Sequence, residues 1–314
     1  MKKFIKYIAV FTIPFLLGTI ILFLLPIDKN FSYHFVKGEC DNKASWIYNR
    51  IFEQNENIDI AFSGASQTSC AFMDEHIETL LNKNGKNFKV ANLGYCRRGR
   101  DIQYVLLKDL FNHKKPKILI IEVAEDEPKK SHPVFPYLAE SNDLLSSFVL
   151  FNQRYFLNIW KGIVMRFEHL KFKIFQNENN LVKNRNSFGY IPSEQIVKPE
   201  IIQQNIATWE KRLSKTKPEL LRKLEINYSK HYLEKIVQLS QNNNCKVLFL
   251  YLPESGSGMK TPLLQEFYKD LGQLIILPDS IISNHSNWKD ATHFNDSGAL
   301  ETSDFIADKL SDFQ

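Results

Sequence analysis

The 314-residue sequence predicts a three-layer α/β/α domain, in which helices cover both faces of a parallel sheet, with a helical insertion and one transmembrane helix before it. Two observations predict this architecture. Short apolar runs alternate with longer amphipathic stretches in two separate parts of the chain, the pattern of strand–helix–strand units. Ahead of them lies an uncharged apolar run of roughly twenty residues, which is long enough to cross a bilayer.

That first run covers residues 7–25 and follows three lysines. Lysines on its N-terminal side and Asp28 just after it predict a cytoplasmic N-terminus, with the body of the chain outside. A cleaved signal peptide is the alternative, but no small-x-small cleavage site follows the run. We therefore predict an uncleaved anchor over residues 1–30. Residues 31–57 are aromatic without a clear period and read as a connector with one short helix.

The sheet pattern begins at residue 58 and extends to residue 314. Residues 118–123 form an apolar run of the kind that is typical of a parallel strand buried on both faces. Such sheets bind ligands beyond the carboxyl ends of their strands. The strand candidates are residues 58–62, 88–93, 118–123, 246–252 and 274–277. The helix candidates are residues 72–81, 102–111, 232–239 and 263–271, with a closing helix after Gly298.

Residues 127–227 separate the two halves of this pattern and predict a helical insertion. Residues 152–175 are amphipathic and aromatic, a polar segment follows at 176–186, and residues 200–224 form a charged helical stretch. This insertion could serve as a lid, as a surface for a partner, or only as packing for the domain.

Composition excludes several classes of function. The net charge is +5, and residues 1–30 carry +3 of it, so the remaining chain lacks the clustered basic face of a nucleic-acid-binding protein. The four cysteines lack metal-ligand spacing, and we expect neither a metal nor an organic cofactor. Cys70 and Cys96 could meet at one edge of the sheet, where a disulfide or two separate buried thiols are both open.

Two distant segments together suggest nucleophilic chemistry. Ser66 lies in Ser-Gly-Ala-Ser-Gln directly after the first strand candidate, where it could also be an ordinary helix N-cap. Asp290 and His293 are three residues apart, just before the closing helix. Asp290 can hold one nitrogen of the imidazole and leave the other to take a proton from the serine. Asp279 and His285 lie nearby but lack this spacing.

These motifs resemble the SGNH (GDSL-type) hydrolase superfamily, with Gly-x-Ser after the first strand and Asp-x-x-His before the last helix. The resemblance implies a flavodoxin-like sheet, with Ser66 as nucleophile, His293 as base and Asp290 as its orienting acid. It also implies an oxyanion hole formed by the N–H groups of Ser66 and Gly99. Gly94 is the reserve for Gly99, because the spacing of the second family block is shifted here.

The resemblance is incomplete in the middle of the chain. Ala65 stands where the Gly-Asp-Ser motif has its acid, and Glu125 stands where the third block usually has an oxyanion asparagine. An ionised Glu125 would repel a developing oxyanion. Arg97 and Arg98 near the predicted site could bind an anionic part of the substrate or could form a solvated basic turn.

Two functional hypotheses follow from the resemblance. The first is a membrane-anchored, extracytoplasmic serine esterase or O-acyltransferase that acts on cell-envelope or exported glycan esters, with a membrane-bound acyltransferase as a candidate partner. The second is a catalytically inactive accessory or scaffold protein of a surface-polysaccharide modification system.

Overall fold

A computed structural model describes residues 1–36, 41–83, 85, 87–123, 127–148, 152–175, 189–215 and 218–311. Within these residues a five-stranded sheet, with all its pairings parallel, has the strand order β2-β1-β3-β4-β5. All five strands were predicted, each to within two residues at either end. They are β1 (Ile60–Ser63), β2 (Val90–Asn92), β3 (Ile118–Val123), β4 (Lys246–Tyr251) and β5 (Gln273–Ile276).

Helices cover both faces of this sheet, as the alternating pattern predicts. Before the sheet, and within its first half, the helices are α1 (Lys2–Leu24), α2 (Lys29–Phe35), α3 (Asp41–Tyr48), α4 (Ser66–Ala71), α5 (Asp74–Lys83) and α6 (Arg100–His113). The middle of the chain contains α7 (Phe135–Leu138), α8 (Ser141–Ser146), α9 (Tyr155–Phe175), α10 (Pro199–Leu213) and α11 (Glu219–Asn242). The last three are α12 (Gln265–Leu271), α13 (Asp279–Ile282) and α14 (Asp296–Ser311).

Alternate residues of the central strands enter two separate hydrophobic cores. Leu119 and Ile121 of β3 face the core that includes residues of α6 and α11, whereas Ile118 and Ile120 face the core that includes residues of α5 and α14. Side chains of a strand point alternately to its two faces, so a wholly apolar strand must be covered on both. All six residues of β3 are buried, and five of them are apolar; the exception is Glu122.

Helix α1 is long and apolar enough to span a membrane, with a mean hydropathy of 2.4 over an 18-residue window within Lys3–Leu24 and only 6% of that window buried. The connector that follows it packs into the domain instead of forming a loose link. It contains two helices and a short π-helical turn, where one short helix was expected. Tyr33 and Trp46 are both buried in the core on the α6 side of the sheet.

The middle of the chain is helical, as predicted, but its elements are divided differently. The charged stretch at 200–224 covers α10 and the start of α11, and α11 then continues without a break past residue 227. The polar segment 176–186 lies outside the described residues. Cys96 is disulfide-bonded, whereas Cys70 is a buried free thiol, so these two cysteines do not pair with each other.

Candidate functional site

The predicted nucleophile lies on a sharp turn between β1 and α4. The strand ends at Ser63, and α4 begins at Ser66 after two intervening residues. Gly64 is required at this turn because a Cβ there would overlap Thr68 Oγ1 and approach within 2.6 Å of Glu122 Cβ. The absence of a side chain thus lets the turn lie directly against β3.

Glu122 fixes this turn from the neighbouring strand. Its buried carboxylate accepts hydrogen bonds from the backbone N–H groups of Ala65 at 2.7 Å and Thr68 at 3.1 Å, and from the Thr68 hydroxyl. Ala65 is the N-cap of α4 and has no side chain that could cap the helix. Glu122 therefore replaces the missing capping group. Sequence reasoning missed this role, although an acid inside the apolar run of β3 was a visible signal.

The structure brings Ser66 and His293 together across 227 positions of sequence. His293 Nε2 lies 2.8 Å from Ser66 Oγ, within hydrogen-bond reach. On the other side of the ring, His293 Nδ1 lies 3.0 and 2.9 Å from the two carboxylate oxygens of Asp290. A carboxylate can only accept at Nδ1, so the neutral ring carries its proton there and Nε2 accepts the hydrogen bond of the serine hydroxyl.

Asp290 stays ionised beside this ring. Burial alone would raise its pKa, but hydrogen bonds from the His293 ring and from the backbone N–H groups of Thr292 and His293 outweigh it and lower the pKa well below the usual range. The same carboxylate thus shapes the loop and orients the imidazole. The side chains remain accessible, with 22% of His293 and 43% of Asp290 exposed, so a substrate can reach them.

A segment of the predicted insertion supports the histidine loop. The backbone N–H of Ser193 donates to Asp296 Oδ1 at 2.7 Å, and the Tyr190 hydroxyl donates to the same oxygen. Val197 N–H donates to the carbonyl of Trp288 at 2.7 Å. Residues 189–197 therefore brace the Asp290–His293 loop, a role that the sequence did not reveal.

The two predicted oxyanion glycines have different surroundings. Gly94 N–H donates to Asn92 Oδ1 at 3.0 Å, and its carbonyl accepts from Ser69 Oγ. The N–H of Gly94 is therefore already engaged in a hydrogen bond within the fold. Gly99 is the N-cap of α6, where a Cβ would approach within 2.5 Å of His132 Cβ. Of the two, Gly99 remains the better candidate for an oxyanion donor.

His132 holds the loop before Gly99 in place. Its ring accepts from Val134 N–H at 3.1 Å through Nδ1, so Nε2 carries the proton and donates to the Cys96 carbonyl at 2.8 Å. Burial lowers the pKa of His132 to about 4 and keeps the ring neutral. Because both ring nitrogens are engaged, His132 supports the site and does not titrate near neutral pH.

Of the two arginines, Arg98 contacts the serine turn, and both line one cavity. Arg98 donates to Oε1 of Gln67, the residue after the predicted nucleophile, at 2.6 Å. It also forms an ion pair with Glu254 at 3.0 Å. Arg97 adopts a left-handed backbone conformation, with φ of 57°. Both line a cavity of about 730 Å³ whose walls also include Lys129, Lys130 and Arg154. This cavity is predominantly basic, since Glu127 and Glu225 are its acidic residues.

Glu125 lies outside the described residues, so its predicted effect on an oxyanion stays a prediction. Within the described part of the chain, no group of three or more His, Cys, Asp or Glu side chains could hold a metal ion.

No family model matches the chain, and no curated protein is significantly similar to it. The arrangement has the parts needed for acyl transfer to a serine: a nucleophile, a base and an acid that orients the base.

Proposed function

We propose that the chain is an SGNH-like serine esterase or O-acyltransferase. The observation that carries this proposal is the continuous contact from Ser66 through His293 to Asp290. In the first step, Ser66 Oγ attacks the ester carbonyl and His293 Nε2 takes the hydroxyl proton. The ester C–O bond then breaks, and His293 returns the proton to the departing alkoxide.

The second half of the reaction regenerates the serine. Water, or a hydroxyl group of a sugar acceptor, attacks the acyl-enzyme while His293 removes its proton. The acyl group leaves Ser66 as a free acid or as a new ester, and Ser66 recovers its proton from His293. The N–H groups of Ser66 and Gly99 would stabilise the oxyanion of each tetrahedral intermediate. This assignment needs no metal and no organic cofactor.

We place the enzyme in the cytoplasmic membrane, with α1 as a single-pass anchor and the α/β domain outside. The length and hydropathy of α1 support the anchor. The disulfide at Cys96 supports an extracytoplasmic location, since such bonds persist mainly in oxidising compartments. The strand order β2-β1-β3-β4-β5 supports the flavodoxin-like sheet that the SGNH resemblance implies.

We further propose a cell-envelope or exported glycan ester as the substrate, with a membrane-bound acyltransferase as a possible partner. The basic cavity beside the serine turn favours a substrate with a carboxylate or phosphate. Arg98 lines this cavity and donates to Gln67, the residue after Ser66, so it is the contact that joins the cavity to the serine turn.

One observation favours the inactive accessory protein as a second candidate. The buried carboxylate of Glu122 lies against the serine turn, hydrogen-bonded to Ala65 N–H. An anion there would oppose negative charge developing on a substrate oxygen nearby. The accessory protein would retain the fold and the cavity and would bind glycan without cleaving it.

A fluorophosphonate probe separates the two candidates, because it labels only an activated serine. We expect labelling of the full-length protein that is lost in Ser66→Ala. Ser63→Ala is the matched control, since Ser63 is a buried serine three residues earlier, and this variant should still be labelled. An intact, folded protein that takes up no probe would favour the accessory role.

A further inference from the structure

Helix α9 has one face packed on the domain and one face exposed. The packed face consists of Asn158, Gly162, Met165, Arg166 and His169, all of them buried. The exposed face is large and apolar, with Phe156 81% exposed, Trp160 62% and Phe167 51%. It also includes Leu157, Val164, Leu170, Ile174 and Phe175. A surface of this kind marks a site of interaction, because isolated soluble domains seldom expose so much contiguous apolar area.

The membrane helix ends against the middle of α9. The carbonyl of Leu25 accepts a hydrogen bond from Arg166 Nε at 3.1 Å, and the carbonyl of Phe23 accepts one from Ser141 Oγ at 2.6 Å. The Arg166 guanidinium also lies 5.2 Å from the centre of the Phe23 ring. If α1 spans a bilayer as proposed, its end marks the bilayer surface, and the middle of α9 lies at the same depth.

The charge of α9 suits a membrane surface. Lys161, Lys171 and Lys173 are its lysines, and Glu168 is its acidic residue. Glu168 forms an ion pair with Lys171 at 3.0 Å, which leaves the helix with an excess of positive charge. A basic helix with a broad aromatic and aliphatic face is the pattern of helices that lie in the plane of an anionic membrane.

We propose that α9 lies in the lipid–water interface of the bilayer that α1 crosses, with its exposed apolar face among the headgroups and upper acyl chains. This inference rests on the proposed membrane location of α1. It follows from the contacts of Arg166 in α9 with Leu25 and Phe23 at the end of α1, since a bilayer that surrounds α1 would extend to the exposed side of α9. Interfacial helices of this kind typically bury their apolar face by about 5–10 Å.

Trp160 provides a direct test in the full-length protein. The other three tryptophans are buried, with Trp46 and Trp209 3% exposed and Trp288 1% exposed, and α1 contains none. The protein is reconstituted into anionic phospholipid vesicles whose acyl chains are brominated close to the headgroup. We expect the brominated lipid to quench part of the tryptophan emission, and we expect Trp160→Phe to abolish that quenching while it preserves the apolar face.

Vesicle flotation separates this inference from the proposed anchor. Protein that floats with the vesicles but keeps a Trp160 quenched by aqueous iodide, and not by brominated lipid, would overturn the placement of α9 and leave the anchor in place. That result would point to a protein partner on the exposed face. Protein that does not float would overturn both. Fluorophosphonate labelling of Ser66 is measured in a separate experiment. Its outcome therefore tests the proposed catalysis independently of the flotation and quenching results.

Discussion

At the scale of single residues, Asp290 determines which tautomer His293 adopts. Its carboxylate accepts the Nδ1 proton, so Nε2 is left to accept the proton of Ser66. Asp290→Asn would place an N–H donor beside the ring and favour the tautomer that cannot act as a base. We expect kcat for an ester substrate to fall by about 10⁴-fold, the loss that this change causes in comparable triads.

The neighbouring acid Asp279 provides the control for this prediction. It forms an exposed ion pair with Lys260 and takes no part in the contacts that join Ser66, His293 and Asp290. Asp279→Asn should therefore leave kcat unchanged. Equal activity of Asp290→Asn and the wild type in a steady-state ester assay would contradict the role of Asp290.

A second residue, Asp101, makes stability depend on pH. Burial raises the pKa of Asp101 to about 7, despite hydrogen bonds from His132 N–H and the Tyr228 hydroxyl. In the unfolded chain this carboxyl ionises near pH 3.9. Between these values the folded state binds more protons than the unfolded state, so the free energy of unfolding falls as pH rises from about 4 to about 7.

The variant Asp101→Asn resembles the protonated acid and does not titrate. We expect its melting temperature to rise relative to the wild type as the pH increases from 5 to 7.5. Differential scanning calorimetry at both pH values measures the change, and comparison with the wild type cancels the contributions of other groups. A difference that is the same at the two pH values would show that Asp101 has an ordinary pKa.

At the scale of elements, the serine turn depends on a neighbouring strand. Glu122→Ala would leave the N–H groups of Ala65 and Thr68 without their partner, and a buried unpaired donor costs about 1–3 kcal/mol. We expect a lower melting temperature together with a lower kcat, because the turn that carries Ser66 loosens. Glu122→Gln keeps one acceptor oxygen and should lose less of both.

The surface residue Glu266 supplies the comparison, since its ion pair with Lys269 is exposed. Glu266→Ala should retain both the stability and the activity of the wild type. If Glu122→Ala proved as stable and active as Glu266→Ala, the capping role of Glu122 would be wrong.

The sequence predicted those elements whose pattern depends on their own residues. β3 was located correctly because a strand buried on both faces is apolar at most of its positions, as β3 is everywhere except at Glu122. Ser66, Asp290 and His293 could be singled out because each of them follows a recognisable local motif. Supports that act across long distances were not predictable: the capping by Glu122 and the brace at residues 189–197 depend on which segments meet, and a local pattern does not encode that.

At the scale of the whole molecule, the disulfide tests the proposed extracytoplasmic location of the domain. We expect Cys96 to resist alkylation in protein that is denatured without reduction, whereas Cys70 and Cys245 should react as free thiols. Mass spectrometry of protein taken directly from cells reads the three sites together, and reduction before alkylation should make Cys96 reactive. A freely alkylated Cys96 in unreduced protein would indicate a reducing compartment and a cytoplasmic domain.

The short connection between α1 and the domain limits how far the candidate active site can move relative to α1. Only four residues separate α1 from α2, and Lys29 at the start of α2 is paired with Asp109 of α6 at 2.9 Å. If α1 spans the bilayer as proposed, this short connection fixes the distance between Ser66 and the lipid surface. A long glycan polymer would then gain or lose acyl groups only at the units that come within that distance of the membrane. The pattern of modified units would therefore depend on how the polymer passes the enzyme.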